Sequence, residues 1–354
     1  MTAERLACLI AGRNLGDIAI HSVFLRKLAA RRFAEQYLVW TRPQTAFLFA
    51  DIPRCRIVCS QFPVGTSKQF GLAAGWNFLR AVLRIREARP SVTIDLIGDA
   101  RERWFAQLAG SRRHVHVGWS EKHPHARLVR NPFGLGHPTV MIPPDTLNVY
   151  AAHDLLIEAL APTSNRADAP EPEHVSRAAP VRVGLHPFAS QRCKLWPMDR
   201  WRELAGALLA EGMELTVFCA PDELPRASAE FAPLIPALRV FAGSLAAFSQ
   251  ALLDIDLLVG LDSFSVHMAH RQGVRSVTIN AGTPVGLHAV PRGVTVGGAG
   301  GCHLYPCYNK APCEGTLFEH ACIKSVRTTA VLDAIDRLIA SVSRGSERPY
   351  GHAE

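Results

Sequence analysis

Short apolar runs alternate with helically spaced stretches along most of this chain, and the runs lead through brief loops into the helices that follow. The runs at 6–11, 36–40, 56–59 and 92–97 are short and rich in Val, Ile and Leu, which marks them as buried strands. The stretches at 18–28, 70–85 and 101–108 carry apolar residues at helical spacing, with Arg and Lys on the remaining positions. A strand followed by a helix and another strand returns parallel, because the helix supplies the crossover. The pattern therefore predicts an α/β fold whose parallel sheets are covered by helices on both faces.

The alternation breaks once. Residues 161–180 have few large apolar side chains and four prolines, a linker composition. Beyond it come strands at 181–185, 214–219, 238–241, 256–260 and 274–279, with helices at 201–210, 223–230 and 245–253 between them. The 354 residues thus divide into a Rossmann-like domain at 1–160, a linker at 161–180, a second Rossmann-like domain at 181–328, and a helix with a tail at 329–354.

The stretch from 245 to 288 carries the chemistry-bearing junction. Asp262-Ser263-Phe264-Ser265-Val266-His267 stands where the strand at 256–260 ends and a helix stopping at Gly273 begins. In open α/β sheets, ligands bind at the carboxyl ends of strands, and a helix start there offers unpaired N–H groups and a positive dipole end to a phosphate. Ser263 or Ser265 can cap the helix, Asp262 can accept from ribose hydroxyls, and His267 can reach a phosphate oxygen. An Asp-Ser pair serving only as an ordinary N-cap explains the same residues.

A second segment adds to this reading: His186-Pro187-Phe188-Ala189-Ser190-Gln191-Arg192-Cys193-Lys194-Leu195-Trp196-Pro197-Met198-Asp199-Arg200-Trp201. With its His-Pro loop and Lys-x-Trp-Pro-x-x-x-Trp, the later Asp262-Ser263 to His267, and the early turn Gly16-Asp17-Ile18, the chain resembles glycosyltransferase family 9, the ADP-heptose:lipopolysaccharide heptosyltransferases. Residues 93–101 resemble the family as well, and the resemblance spans about 5–340. It implies a GT-B architecture, two Rossmann-like domains facing across a cleft, with the last helix packing back toward the first domain. The implied enzyme is an inverting, metal-independent glycosyltransferase, moving a heptose from ADP-heptose to a lipopolysaccharide-core or related saccharide. Asp17 is then the general base, with a helix N-cap as its structural alternative, and Lys194 the catalytic contact to the departing phosphate. Glu223 contacts the donor ribose or, alternatively, serves the helix terminus. Asp262, Ser263, Phe264, Ser265 and His267 complete the donor site, while Trp196 and Trp201 pack around the loop. Two positions depart from the family: Phe264 replaces a glycine, and Phe188 replaces a small residue after His186-Pro187. Both changes fall on the donor pocket. A GT-B-fold binding protein without activity, or a sugar-nucleotide epimerase of the same fold, are the alternatives.

Composition narrows the partners. Residues 1–160 hold 21 Lys and Arg against 12 Asp and Glu, so this part carries +9 of a net +8, and the remainder carries −1. Its arginines are scattered along helices without interleaved aromatics, which argues against nucleic acid; an acidic, lipid-linked acceptor, an anionic membrane surface and a merely solvated surface all fit the charge. No apolar run approaches the ~18 residues that span a bilayer, and the start lacks a signal-peptide layout. A cytoplasmic protein, peripheral at the inner membrane, is expected. Nine cysteines, an odd number, argue against a secreted disulfide framework. Cys302, Cys307, Cys313 and Cys322 cluster with four, five and eight residues between them, making them candidate ligands of a structural Zn or Fe, or simply reduced thiols. Gly65-Thr66-Ser67-Lys68 lacks P-loop spacing, no Gly-x-Gly-x-x-Gly follows a strand, and Asp254-Ile255-Asp256 enters a buried strand as a structural pair.

Overall fold

The computed structural model describes residues 3–63, 71–123, 126, 138–162, 180–308 and 311–343. The chain forms two compact units, residues 1–170 and 171–354. Most of the expected linker, the 65–68 segment and the tail beyond 343 lie outside the described residues.

The first unit runs β1 (Glu4–Ala11), α1 (Leu15–Ala30), β2 (Ala34–Thr41), β3 (Cys55–Cys59), α2 (Leu72–Ala88), β4 (Val92–Asp95), α3 (Ala100–Ala109), β5 (Arg113–Trp119), β6 (Val140–Ile142) and α4 (Val149–Leu160). The second runs β7 (Arg182–His186), α5 (Met198–Ala210), β8 (Glu214–Cys219), α6 (Leu224–Glu230), β9 (Leu238–Ala242), α7 (Leu245–Ala251), β10 (Leu257–Leu261), α8 (Phe264–Arg271), β11 (Arg275–Asn280), β12 (Val294–Gly297), α9 (Ala321–Lys324) and α10 (Thr328–Ser343). Each unit holds one six-stranded sheet, in the orders β3-β2-β1-β4-β5-β6 and β12-β11-β10-β7-β8-β9. Adjacent strands pair in parallel throughout both sheets. The two orders are the same Rossmann order counted from each unit's first strand. The direction of winding therefore reverses between β1 and β4, and again between β7 and β10, the switch points where such sheets bind ligands.

Each sheet is fixed by aromatic packing. In the first unit Trp40 of β2 lies 5.0 Å from the Phe62 ring, 5.0 Å from Phe78 and 5.9 Å from Phe105. Its indole N–H donates to Ser60 Oγ at 2.8 Å, so the ring is buried without an orphaned donor. Truncating it to Ala removes the centre of this cluster, a change that costs about 3–5 kcal/mol in comparable cores. In the second unit Trp196 and Trp201 meet edge to face at 5.2 Å, and Trp196 donates to the Val326 carbonyl at 2.9 Å. Both are packing residues, as their sequence positions indicate. Asp256 is structural too: its carboxylate accepts from the Arg182 backbone and guanidinium at 2.9 and 3.0 Å, tying the approach of β10 to β7.

The apolar side of α10, with Val331, Ala334, Ile335 and Leu338, joins the core of its own unit and packs on α5, β11 and β12.

Candidate functional site

The second switch point is built by close approach. Gly260 of β10 pairs with His186 at the end of β7, and a Cβ placed on it would lie 3.1 Å from both Ser265 Oγ and Val266 Cγ1. Glycine there lets the first turn of α8 settle directly on the strand end. Gly273, with φ +79°, closes the helix on the other side after Gln272.

Asp262 sits in this junction, 3 % exposed. Lys194 Nζ donates to its backbone carbonyl at 2.8 Å and to Oδ2 at 3.1 Å. Thr283 Oγ1 donates to the same Oδ2 at 2.9 Å, and His288 Nδ1 stands 3.7 Å from Oδ1. Burial alone would raise this carboxyl, but the Lys194 ammonium, helped by His288 and His267, holds it well below the usual carboxylate range. Asp262 is thus an ionised carboxylate turned inward. Its Oδ2 accepts from Lys194 and Thr283, and its Oδ1 faces His288.

His267, on α8, is also buried, and its ring meets that of His288 at 6.2 Å, nearly perpendicular. Burial, reinforced by repulsion from His288 and only partly offset by Asp262, pushes His267 down to about 3. It is neutral at physiological pH and can donate through one ring nitrogen only. Ser263 occupies the N-cap position of α8, yet its side chain makes no cap hydrogen bond and instead lies 3.3 Å from Ser265 Oγ. The expected serine cap is therefore not formed. Phe264 takes ordinary helical backbone geometry and turns its ring toward Phe248 at 6.2 Å, so glycine is not required at this position. Phe188 is buried against Cys219 and Ala227, with the Arg226 guanidinium 5.6 Å from its ring centroid.

Glu223 closes a short 3-10 turn, Pro221–Glu223, by accepting the Ala220 backbone N–H at 2.8 Å. One oxygen thus serves the local cap. Cys313 and Cys322 are buried while Cys302 and Cys307 are partly exposed, and all four are free thiols. Burial raises the Cys322 thiol, and the other three thiols raise it further. Cys313 Sγ accepts the His320 backbone N–H at 3.5 Å. Among the described residues no group of three or more His, Cys, Asp or Glu side chains forms a metal-holding arrangement.

Asp17 belongs to the first unit's switch point. It is the third residue of α1, half-buried, and accepts from Asn14 Nδ2 at 3.1 Å. Asn14 is the N-cap, so the N-cap alternative for Asp17 is set aside. Around it the sequence reading missed a dense charge cluster at the ends of β1 and β4. Asp95 accepts from the backbone of Ile97 and Gly98 at 2.9 and 3.0 Å, while Asp99 caps α3 and pairs with Arg101 at 2.8 Å and Arg13 at 3.5 Å. Glu102 is 1 % exposed, and its Oε1 has no hydrogen-bond partner among the described residues. Burial lifts Glu102 well above the ordinary carboxylate range, and the nearby Asp95 lifts it further. A depression of about 260 Å³ near Arg182, Glu214, Leu238 and Asp254 opens at the amino-terminal edge of the second sheet, the side away from this chemistry.

Residues 152–298 match the family model described as glycosyltransferase family 9 (heptosyltransferase). This stretch is a glycosyltransferase family 9 domain. The match takes in Lys194, Glu223, Asp262 and His267, but begins after Asp17 and ends before the clustered cysteines. The family 9 domain and the unit before it together share a GT-B-type fold with solved glycosyltransferases. A family 9 glycosyltransferase from Veillonella parvula DSM 2008 superposes with a TM-score of 0.69 at 15 % identity, over 96 % of this chain and 99 % of that one. The E. coli ADP-heptose lipopolysaccharide heptosyltransferase II gives 0.62 at 15 % identity, over 95 % and 99 % of the two chains. The E. coli heptosyltransferase WaaC, solved with ADP, gives 0.63 at 14 % identity, over 94 % and 99 %. No curated protein sequence matches the chain. With its family 9 domain the protein is a glycosyltransferase. Among the described residues no helix is long and apolar enough to cross a membrane.

Proposed function

We propose that the protein transfers a heptose from ADP-heptose to an acidic, lipid-linked saccharide such as a lipopolysaccharide core. The Asp17 carboxylate takes the proton of the acceptor hydroxyl, whose oxygen then attacks the anomeric carbon. The bond from that carbon to the diphosphate breaks and ADP leaves, so the step inverts the sugar's configuration and needs no covalent intermediate. Lys194, neutral His267 and the backbone N–H groups at Ser263, Phe264 and Ser265 stabilise the charge that develops on the diphosphate. Transfer on these terms is metal-independent, because the Lys194 ammonium supplies the fixed positive charge. Glu223 keeps one carboxylate oxygen for the donor ribose. The basic first unit holds the acidic acceptor and brings the enzyme to the inner membrane's cytoplasmic face.

The observation that carries this reading is the buried Lys194–Asp262 pair beside the first turn of α8, within the family 9 domain. The neighbours solved with ADP and with ADP-2-deoxy-2-fluoro heptose support the choice of donor. The test is a donor screen by thermal stabilisation, followed by transfer to a lipopolysaccharide-core acceptor. Saturation at 100 times the dissociation constant adds about 2.7 kcal/mol to stability. ADP-heptose should raise Tm and yield a glycosylated acceptor. Stabilisation by nicotinamide dinucleotides alone, or release of an altered free sugar with no product on the acceptor, overturns the transferase reading.

A further inference from the structure

Helix α2 is apolar on two opposite sides. Ala74, Ala81, Val82 and Ile85 face inward, and Ala81, Val82 and Ile85 join the core with Trp40, Phe62 and Phe105. One such stripe is enough to hold a surface helix on its sheet. The other side carries Leu72, Trp76, Leu79 and Leu83, which are 97 %, 56 %, 46 % and 51 % exposed. Their spacing of four, three and four residues puts them in a single row along the helix. Among the described residues that row stays outside the core of this unit, and large apolar side chains left in a contiguous line mark a surface that meets something.

The flanking residues say what it meets. Arg80 and Arg86 fall on either side of the row, both exposed, and the Arg80 guanidinium carbon lies 5.4 Å from the Trp76 ring centroid. Arg84 and Arg89 extend the charge, against the single acid Glu87 on this helix. A Trp- and Leu-bearing row edged by arginines fits the interface of an anionic bilayer: the rings and methyls enter the headgroup boundary while the guanidinium groups stay with phosphate. A protein partner that matched only the apolar row would leave these arginines without use. We propose that the outward face of α2 is a docking surface for anionic lipid. It deepens the reading of a lipid-borne acceptor and rests on that reading only for its purpose.

The test is co-sedimentation of the full chain with vesicles of phosphatidylcholine, with and without 30 % phosphatidylglycerol (roughly the anionic content of a charged leaflet). The parent should bind the anionic vesicles, and binding should weaken as salt rises. A Trp76→Ser, Leu79→Ser, Leu83→Ser variant should lose at least about tenfold in partition with Tm unchanged. Arg80→Glu with Arg86→Glu should lose a similar factor while keeping the apolar row. Equal sedimentation of parent and both variants, or no binding of the parent, overturns the proposal. So does light scattering that finds the parent dimeric and the Ser variant monomeric, since the row would then be covered by a second copy. Vesicle binding is read without transfer, so a failed donor screen and a failed sedimentation are separate results.

Discussion

A single ammonium holds both the backbone and the side chain of one buried acid: Lys194 Nζ donates to the Asp262 carbonyl at 2.8 Å and to its carboxylate at 3.1 Å. The two side chains are 13 % and 4 % exposed, so the pair is shielded from solvent. An ammonium has three donors. Two go to Asp262, and in the proposed reading the third meets a diphosphate oxygen at the start of α8. Lys194 and Asp262 therefore act as a unit, one carrying the charge and the other fixing its place.

Removing one member should cost more than removing both. Lys194→Ala leaves an ionised carboxylate buried without its cation, a change worth about 3–5 kcal/mol in comparable pairs. Adding Asp262→Asn removes the stranded charge and should restore most of that stability, though not donor binding. Urea unfolding of the single and double variants checks this. A Lys194→Ala protein as stable as the parent would show that the pair is not a structural unit.

Buried neutral histidines make stability depend on pH in a definite direction. Burial holds His21 well below its ordinary value, His153 at about 4 and His267 at about 3. Unfolded histidine titrates near 6.5. Between that value and the folded ones, the unfolded chain binds more protons, so stability is full above about 6.5 and is lost as pH falls. Tm should therefore drop between pH 7.5 and 5. His153→Gln cannot charge and should show a smaller drop. A parent Tm that is flat across this range would contradict the neutral, buried assignment.

Glu102 reverses the sign. Its folded value is raised by burial and by Asp95, so the folded protein favours the protonated form. Stability from this group is present at low pH and is lost as pH rises from the unfolded value near 4.3 through the raised one. Glu102→Gln mimics the neutral acid at every pH. Its Tm should match the parent's at pH 4 and exceed it at pH 8. A variant less stable than the parent at pH 8 would mean that Glu102 is ionised and paired.

What could be read in advance follows from how local each feature is. Strands such as Glu4–Ala11 and Leu257–Leu261 announce themselves by continuous apolar runs, and their helices by spacing. Arg113–Trp119 was missed because His114 and His116, on the opposite face from Val115 and Val117, break the continuous apolar run, and Val140–Ile142 because it is three residues long. Lys194, Asp262 and His267 stood out through motif spacing. Thr283 and His288, which complete the shell around Asp262, belong to no pattern of their own and arrive by the fold. Glu102 looks in sequence like an exposed helix charge between two arginines, and only the packing of α3 on the sheet buries it.

Replacing Asp17 tests its proposed role as the general base. It occupies the third position of α1 while Asn14 holds the cap, so the carboxylate is not committed to the helix terminus. Replacing it with Asn keeps its size and the contact to Asn14 but removes the base. Turnover should fall by about 10²–10⁴-fold, the range for general acid–base catalysis. The Tm shift produced by ADP-heptose should be unchanged, because Lys194, Asp262 and His267 belong to the family 9 domain and remain intact. Stability should hardly move, since an exposed Asn14–Asp17 hydrogen bond contributes about 1 kcal/mol at most. Transfer rate, donor shift and Tm measured on one preparation separate the cases. Full activity in Asp17→Asn would remove this residue from the mechanism, and a stable, donor-binding, inactive variant would establish it as the base.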